Sequence, residues 1–257
     1  LAVVLRQIYL YQSSKTRLLE MLYWPTLDLL LWGFVSIYIQ RVNPAVPRFV
    51  AYFVGALILW NILFRAQQGI TVSFLEDIWS RNLTNVFISP LSIAEYLSGL
   101  ILISLLKVLI AFTVMTTIAG LFYSFNIFSL GISLLPLVIN LLAMGWAVGI
   151  CTMTIILRFG QEAEVLAWAI AFLFMPFSAV YYPVEVLPPA LRVVAWFLPS
   201  AHAFEGMRSI IQNGLFPTRE ILLATGLNLV YLALACQFFT KTHRKVLQLG
   251  IIPKIGE

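Results

Sequence analysis

Few residues in this 257-residue chain are of the kinds that do chemistry, and those few stand apart from one another. Cys151 and Cys236 each sit inside an apolar run with no partner at metal-ligand spacing, which reads as two small core hydrophobes. His202 and His243 are too isolated to build a metal or catalytic centre. The sequence holds no His-Glu-x-x-His, no Gly-x-Ser-x-Gly, no paired intramembrane aspartates and no Gly-x-x-x-x-Gly-Lys-Ser/Thr phosphate cradle. It therefore predicts no catalytic residue, no metal and no nucleotide site of its own. What remains are two charges inside apolar stretches, Asp28 and Lys107. An ion in hydrocarbon is costly, so these two are expected either to pair with each other or to line a wet path. Glu95 is expected at the headgroups.

The elements that would carry these residues follow from composition. Hydrophobic residues make up 61% of the chain and charged residues 11%, and the mean hydropathy is +0.95, which excludes an ordinary soluble fold. Val108 to Leu157 contains no Asp, Glu, Lys or Arg, and uncharged runs recur at Val165 to Val184 and Ile221 to Thr240. Period-2 alternation of the barrel kind is absent, so helices must satisfy the backbone in lipid. The predicted class is an all-α polytopic membrane protein with six spans.

Residues 1–20 read as an amphipathic interface helix, apolar at positions 1, 4, 5, 8 and 11 with Arg6 and Gln7 opposite. Spans are predicted at about 21–40, 49–75, 91–122, 130–157, 165–182 and 221–240, the second able to continue towards Trp79. A turn over Arg41 to Arg48 closes the first. Arg6, Lys15, Arg17 and Glu20 interrupt any secretory leader, so the first span is read as the insertion signal, and Leu1 suggests that residues precede it.

Positive charge sets the expected orientation. Arg6, Lys15, Arg17, Arg65, Arg81, Arg158, Lys241, Arg244, Lys245 and Lys254 fall on one side, against Arg41, Arg48, Arg192, Arg208 and Arg219 on the other, which predicts both termini in the cytoplasm. The sequence pI of about 9.3 then reflects topology and anionic headgroups; no basic soluble domain is present to bind nucleic acid. Aromatics, at 14%, are read mainly as interfacial belts, with sugar stacking along a channel as the alternative.

Two segments are neither span nor plain loop. Phe74 to Ser92 combines Glu76, Asp77 and amides with a short apolar peg bounded by Ser89-Pro90, suited to a partner's groove or to an ordinary polar hairpin. Tyr181-Tyr182-Pro183-Val184-Glu185-Val186-Leu187-Pro188-Pro189-Ala190-Leu191-Arg192, then Phe197-Leu198-Pro199-Ser200 and Glu205-Gly206-Met207-Arg208, is too apolar for open water and too broken for a span. Re-entrant helices at the mouth of a pathway are the expectation.

With these motifs in order, nearly the whole chain resembles the permease subunits of type-2 ABC exporters, which move drugs, lipids and polysaccharides. The resemblance implies a homodimer of permeases carrying two copies of a cognate P-loop ATPase, with ATP and magnesium on the ATPase. It implies a coupling helix at about 80–91, drawing on Leu83, Asn85, Val86 and Phe87 beside Glu76 and Asp77, so that aspartate at 83, 86 and 87 should release the ATPase without unfolding the spans. It implies a re-entrant hairpin at about 183–211 whose outer gate uses Tyr181, Tyr182, Pro183, Glu185, Pro188, Arg192, Pro199 and Arg208. The N-terminal helix becomes a second ATPase contact. The setting is a bacterial-type inner membrane and its lipids, and the cargo an amphipathic drug or lipid, alternatively a polysaccharide or lipid-linked glycan. A secondary transporter or channel would show related halves, and none are visible between residues 21–123 and 130–240.

Overall fold

A computed structural model describes residues 2–12, 15–43 and 49–249, and among them every regular element is helical. The elements are α1 (Ala2–Gln12), α2 (Lys15–Val42), α3 (Phe49–Trp79), α4 (Leu83–Ile88), α5 (Ile93–Tyr123), α6 (Leu134–Phe159), α7 (Leu166–Phe177), α8 (Pro189–Trp196), α9 (Pro199–Asn213) and α10 (Thr218–Leu249). Five helical stretches, Leu22–Val42, Phe49–Trp79, Ile93–Tyr123, Ile127–Phe159 and Thr218–Leu249, are long and apolar enough to cross a membrane.

Several boundaries differ from the sequence reading for local reasons. Lys15 onward is the first turn of α2, so the interface helix stops at Gln12. The fourth span begins as a 3-10 stretch over Ile127–Ser133, with Gly131 in a left-handed conformation. The fifth expected span is the 12-residue α7, about 18 Å at ~1.5 Å per residue. Pro176 and the left-handed Ala179 end it there. Of the predicted turn after the first span, residues 44–48 lie outside the described residues, as does Lys254.

The start of α5 shows how the sequence sets such a boundary. Ser92 Oγ accepts the Glu95 N–H at 3.3 Å while Glu95 accepts the Ser92 N–H at 2.8 Å, a complete capping box. Ser92→Ala should cost about 1 kcal/mol and lower the thermal midpoint of the detergent-solubilised protein, whereas Ser92→Thr should retain most of it.

The bundle is organised around α3, buried along nearly its whole length between α5 and α6, with α10 packed on the far side of α6. Lipid supplies no hydrophobic drive between helices, so close approach of small residues and interhelical hydrogen bonds must hold the seams. On the α3–α6 seam a Cβ at Gly145 would stand 2.5 Å from the Leu63 carbonyl oxygen, and one at Gly149 3.0 Å from that of Gln67. On the α3–α5 seam Ser104 Oγ donates to the Ala66 carbonyl at 2.9 Å and accepts from Trp146 Nε1 at 3.2 Å. Asn228 donates to both the Asn140 carbonyl and its Oδ1 at 2.9 Å, tying α10 to α6. Gln67 and Gln68 donate to the Ala167 carbonyl at the start of α7.

Two apolar clusters result, one around Val54, Leu59, Leu141 and Phe204, the other around Phe74, Ile78, Tyr96 and Phe239. They mark the hairpin end and the α4 end of the bundle.

Candidate functional site

At the α4 end, α3 runs out at Trp79 and the chain reverses through the left-handed Arg81, whose N–H meets the Ile78 carbonyl while the Asn82 N–H meets that of Asp77. This turn lays α4 back across α3, α5 and α10. A six-residue amphipathic helix must cover its apolar side, and the chain's own core is the nearest cover. Leu83 is 4% exposed within the second cluster, and Val86 and Phe87 pack against it. Phe87 stands edge-on to Tyr96 at 6.1 Å and to His243 at 4.6 Å.

Leu83, Val86 and Phe87 are therefore not free anchors. Aspartate at all three would disrupt the chain's own packing, which corrects the expectation that such changes spare the fold. Glu76 and Asp77 are likewise buried rather than presented. Asp77 forms an ion pair with Arg6 of α1 and accepts the Tyr96 hydroxyl at 3.0 Å, which fastens the N-terminal helix to the end of α3. The solvent side of α4 is instead Asn85, braced by Asn82 at 3.1 Å, and Ile88, 77% exposed. Trp79, Phe159 and Val165 are also exposed, and the Trp79 indole donates to Glu164 at 3.3 Å, which brings the α6–α7 connection to the end of α3.

The hairpin end is tied together by side chains that reach for main-chain oxygens. Arg208, buried on α9, donates to the Ala179 carbonyl at 2.9 Å and pairs with Glu205 at 2.8 Å. Glu205 in turn accepts the Val184 N–H at 2.8 Å. Arg192 donates to the carbonyls of Leu187 at 2.7 Å and Glu185 at 2.5 Å, and the Tyr182 hydroxyl to that of Pro176 at 2.7 Å. Pro188 precedes α8, with Pro189 in its first turn, and Pro199 opens α9, where a missing N–H costs nothing. Pro183 begins the single 3-10 turn Val184–Val186. Tyr181 stacks on Phe53 of α3 at 4.7 Å.

His202 belongs to this region. Its Nε2 donates to the Trp196 carbonyl at 2.8 Å and its Nδ1 meets Glu220 of α10 at 2.5 Å. These groups border an open cavity of about 680 Å³ between α8, α9 and the start of α10.

Asp28 and Lys107 do not meet. The Lys107 ammonium lies against Ser73 Oγ at 2.9 Å on the α3–α5 seam, whereas Asp28 is exposed on α2 with Arg65 of α3 as its cationic neighbour. Helix rotation puts the two on different seams, which spacing along separate spans does not reveal.

Arg65, Tyr96, Ile88 and Glu220 thus enter as residues to which the sequence reading gave no part in either site, and Arg6 and Glu205, named there only within the interface helix and the hairpin motif, gain their partners. Only Arg65 and Ile88 carried a usable signal, a charge within an apolar helix and an apolar residue on the rim of a polar loop.

The sequence profile of a family described as ABC-2 family transporter protein matches residues 35–240, which spans both the α4 turn and the hairpin end. A search among curated proteins finds no match.

Proposed function

Since this chain belongs to the ABC-2 family of transporter proteins, a membrane component that implies a separate ATP-binding subunit, we propose that it is the permease half of an exporter for an amphipathic drug-like or lipid substrate. Two copies of the chain pair in a bacterial inner membrane, with both termini in the cytoplasm and one ATPase on each copy. ATP and magnesium are held by the ATPase. In this reading α7 and the segment that follows it make the sixth passage, and α8 and α9 form a re-entrant hairpin facing outward.

The observation that carries the reading is the small helix at the end of the long buried one. α4 offers Asn85 and Ile88 outward while Leu83 roots it in the core. A push on α4 from a closing ATPase dimer is transmitted through α3, and α1 moves with them through the Arg6–Asp77 pair. At its other end α3 touches the hairpin, with Phe53 under Tyr181 and the Tyr52 hydroxyl 3.4 Å from the Arg208 carbonyl. Displacement at α4 therefore reaches the outer gate through packed, hydrogen-bonded parts, as alternating access requires.

Ile88→Asp should reduce capture of the cognate ATPase on the order of tenfold or more, the effect of removing a central apolar anchor, with the thermal midpoint unchanged. Leu83→Asp should instead prevent recovery of folded protein. Co-purification and size-exclusion profiles check both, and full ATPase capture by the folded Ile88→Asp protein would sink the assignment of α4 as the docking helix.

A further inference from the structure

Both ring nitrogens of His202 face acceptors. Nε2 lies 2.8 Å from the Trp196 carbonyl oxygen at the end of α8, and Nδ1 lies 2.5 Å from a carboxylate oxygen of Glu220 in the first turn of α10. His202 is only 7% exposed, so water does not readily replace either contact.

A carbonyl oxygen accepts and never donates, so Nε2 must carry a hydrogen. A neutral imidazole has no second N–H, and its Nδ1 would then turn a lone pair towards the Glu220 carboxylate. The contact therefore holds one proton, carried by the imidazolium or by the carboxyl group. The other neutral tautomer only moves the conflict to Trp196. Removing this proton breaks one of the two bonds and leaves polar atoms opposed in a poorly solvated place.

The bridged groups belong to three helices, α8, α9 and α10, and His202 and Glu220 border the open cavity of about 680 Å³, which gives a proton its route from solvent. The neighbouring charges are engaged elsewhere or open to water. Arg219 on α10 and the Glu185 side chain on the 3-10 turn are exposed, Arg192 on α8 donates to the Leu187 and Glu185 carbonyls, and Glu205 on α9 pairs with Arg208. On α3 the Tyr52 hydroxyl reaches the Arg208 carbonyl, and α6, which also packs on α9, carries no charged residue before Arg158 in its last turn. A second tie, the Tyr231 hydroxyl donating to the Phe197 carbonyl at 3.1 Å, lies further along α10 and needs no shared proton.

We propose that His202, Glu220 and the Trp196 carbonyl form a proton-binding latch, which fastens the start of α10 to the hairpin when occupied and frees it when the proton leaves, with Tyr231 keeping the middle of α10 attached. The closed arrangement holds the proton more tightly than the parted groups do, so the latch is fully formed at low pH and is lost as pH rises. In the exporter reading, on which only the role in transport rests, the proton is taken from the outer side, and alkaline conditions there loosen the outer gate.

The whole chain in lipid nanodiscs, without the ATPase, is followed by hydrogen exchange at about pH 5 and about pH 8, which bracket the range where histidine changes charge, with rates corrected for the intrinsic effect of pH. Amides of residues 221–224 should lose about tenfold in protection at the higher pH. His243, the chain's other histidine, lies at the α4 end against Phe87 and so does not account for a response there. Glu220→Gln should stay protected at both pH values, because its amide donates to the neutral Nδ1 and turns its oxygen towards the charged ring. Glu220→Ala should be poorly protected at both. Equal protection of the unaltered protein at the two pH values, or a pH response that persists in Glu220→Gln, overturns the latch and leaves the exporter reading standing. A latch that behaves as expected, in an assembled complex whose ATP hydrolysis keeps the same pH profile with Glu220→Gln, would instead refute its part in transport.

Discussion

Replacing Gly145 and Gly149 together with leucine is expected to abolish recovery of monodisperse protein from detergent, the largest effect any surface-neutral change in this chain should have. The seam between α3 and α6 has no room for a side chain at either position. A single methyl at position 145 would lie 2.5 Å from the Leu63 carbonyl oxygen and 2.6 Å from Ala66 Cβ, and one at 149 would lie 3.1 Å from Ile70 Cβ. Most of the obstructing atoms are backbone or Cβ atoms, which cannot rotate away. Even Gly145→Ala should cost about 1–3 kcal/mol through forced separation of the helices. Gly226 on α10 provides the contrast, because a methyl there meets nothing within 4 Å. Gly226→Ala should be neutral or stabilise by up to about 1 kcal/mol, since alanine is the better helix former. Thermal midpoints of the two alanine variants should therefore move in opposite directions, and matching shifts would show that the seam is not close-packed.

The second large effect is expected at Arg208. Its guanidinium serves Ala179 and Glu205 at once, and Glu205 serves Val184, so one side chain holds the exit of α7 and the 3-10 turn against α9. Arg208→Met should cost about 3–5 kcal/mol, because it strands the Glu205 charge as well as losing its own bonds. Loosening should be local, read as new protease cleavage between residues 178 and 198 while the long helices stay intact. Adding Glu205→Gln should recover part of the loss, since the amide oxygen still accepts from Val184 and no charge is left alone. Equal sensitivity of the single and double variants would mean that the pair contributes no more than its parts.

How far the sequence discloses this architecture depends on the physics behind each feature. The helical class and the long spans follow from hydropathy, because solvation by lipid acts on each segment separately; Val108 to Leu157 could belong nowhere else. The proline pattern of 183–199 likewise marked short helices, since proline acts on its own neighbourhood. Which face of α4 looks outward was not legible, because Leu83 and Ile88 are equally apolar and only the position of α5 and α10 decides between them. Pairings across spans were hidden for the same reason. Asp28 and Lys107 are opposite in sign and both stand inside apolar runs, yet helix rotation gives Lys107 to Ser73 and Asp28 to Arg65. The Gly145-x-x-x-Gly149 spacing is legible as a small-residue helix seam, whereas His202 and Glu220, eighteen residues apart, are paired only by the fold of α9 back onto α10.

The burial of α3 also bears on how the protein responds to its membrane. Most of α3 touches only its own chain, whereas α2 and α10 present most of their length to the outside. A thicker or thinner bilayer acts on a helix through the lipid it touches, by tilting it or by deforming the bilayer around it. Mismatch should therefore be absorbed by α2 and α10, while the helix that joins α4 to the hairpin keeps its angle. In the exporter reading, the stroke delivered to the hairpin end would then be set by the bundle's own dimensions, and its gearing would be unchanged in membranes of different thickness.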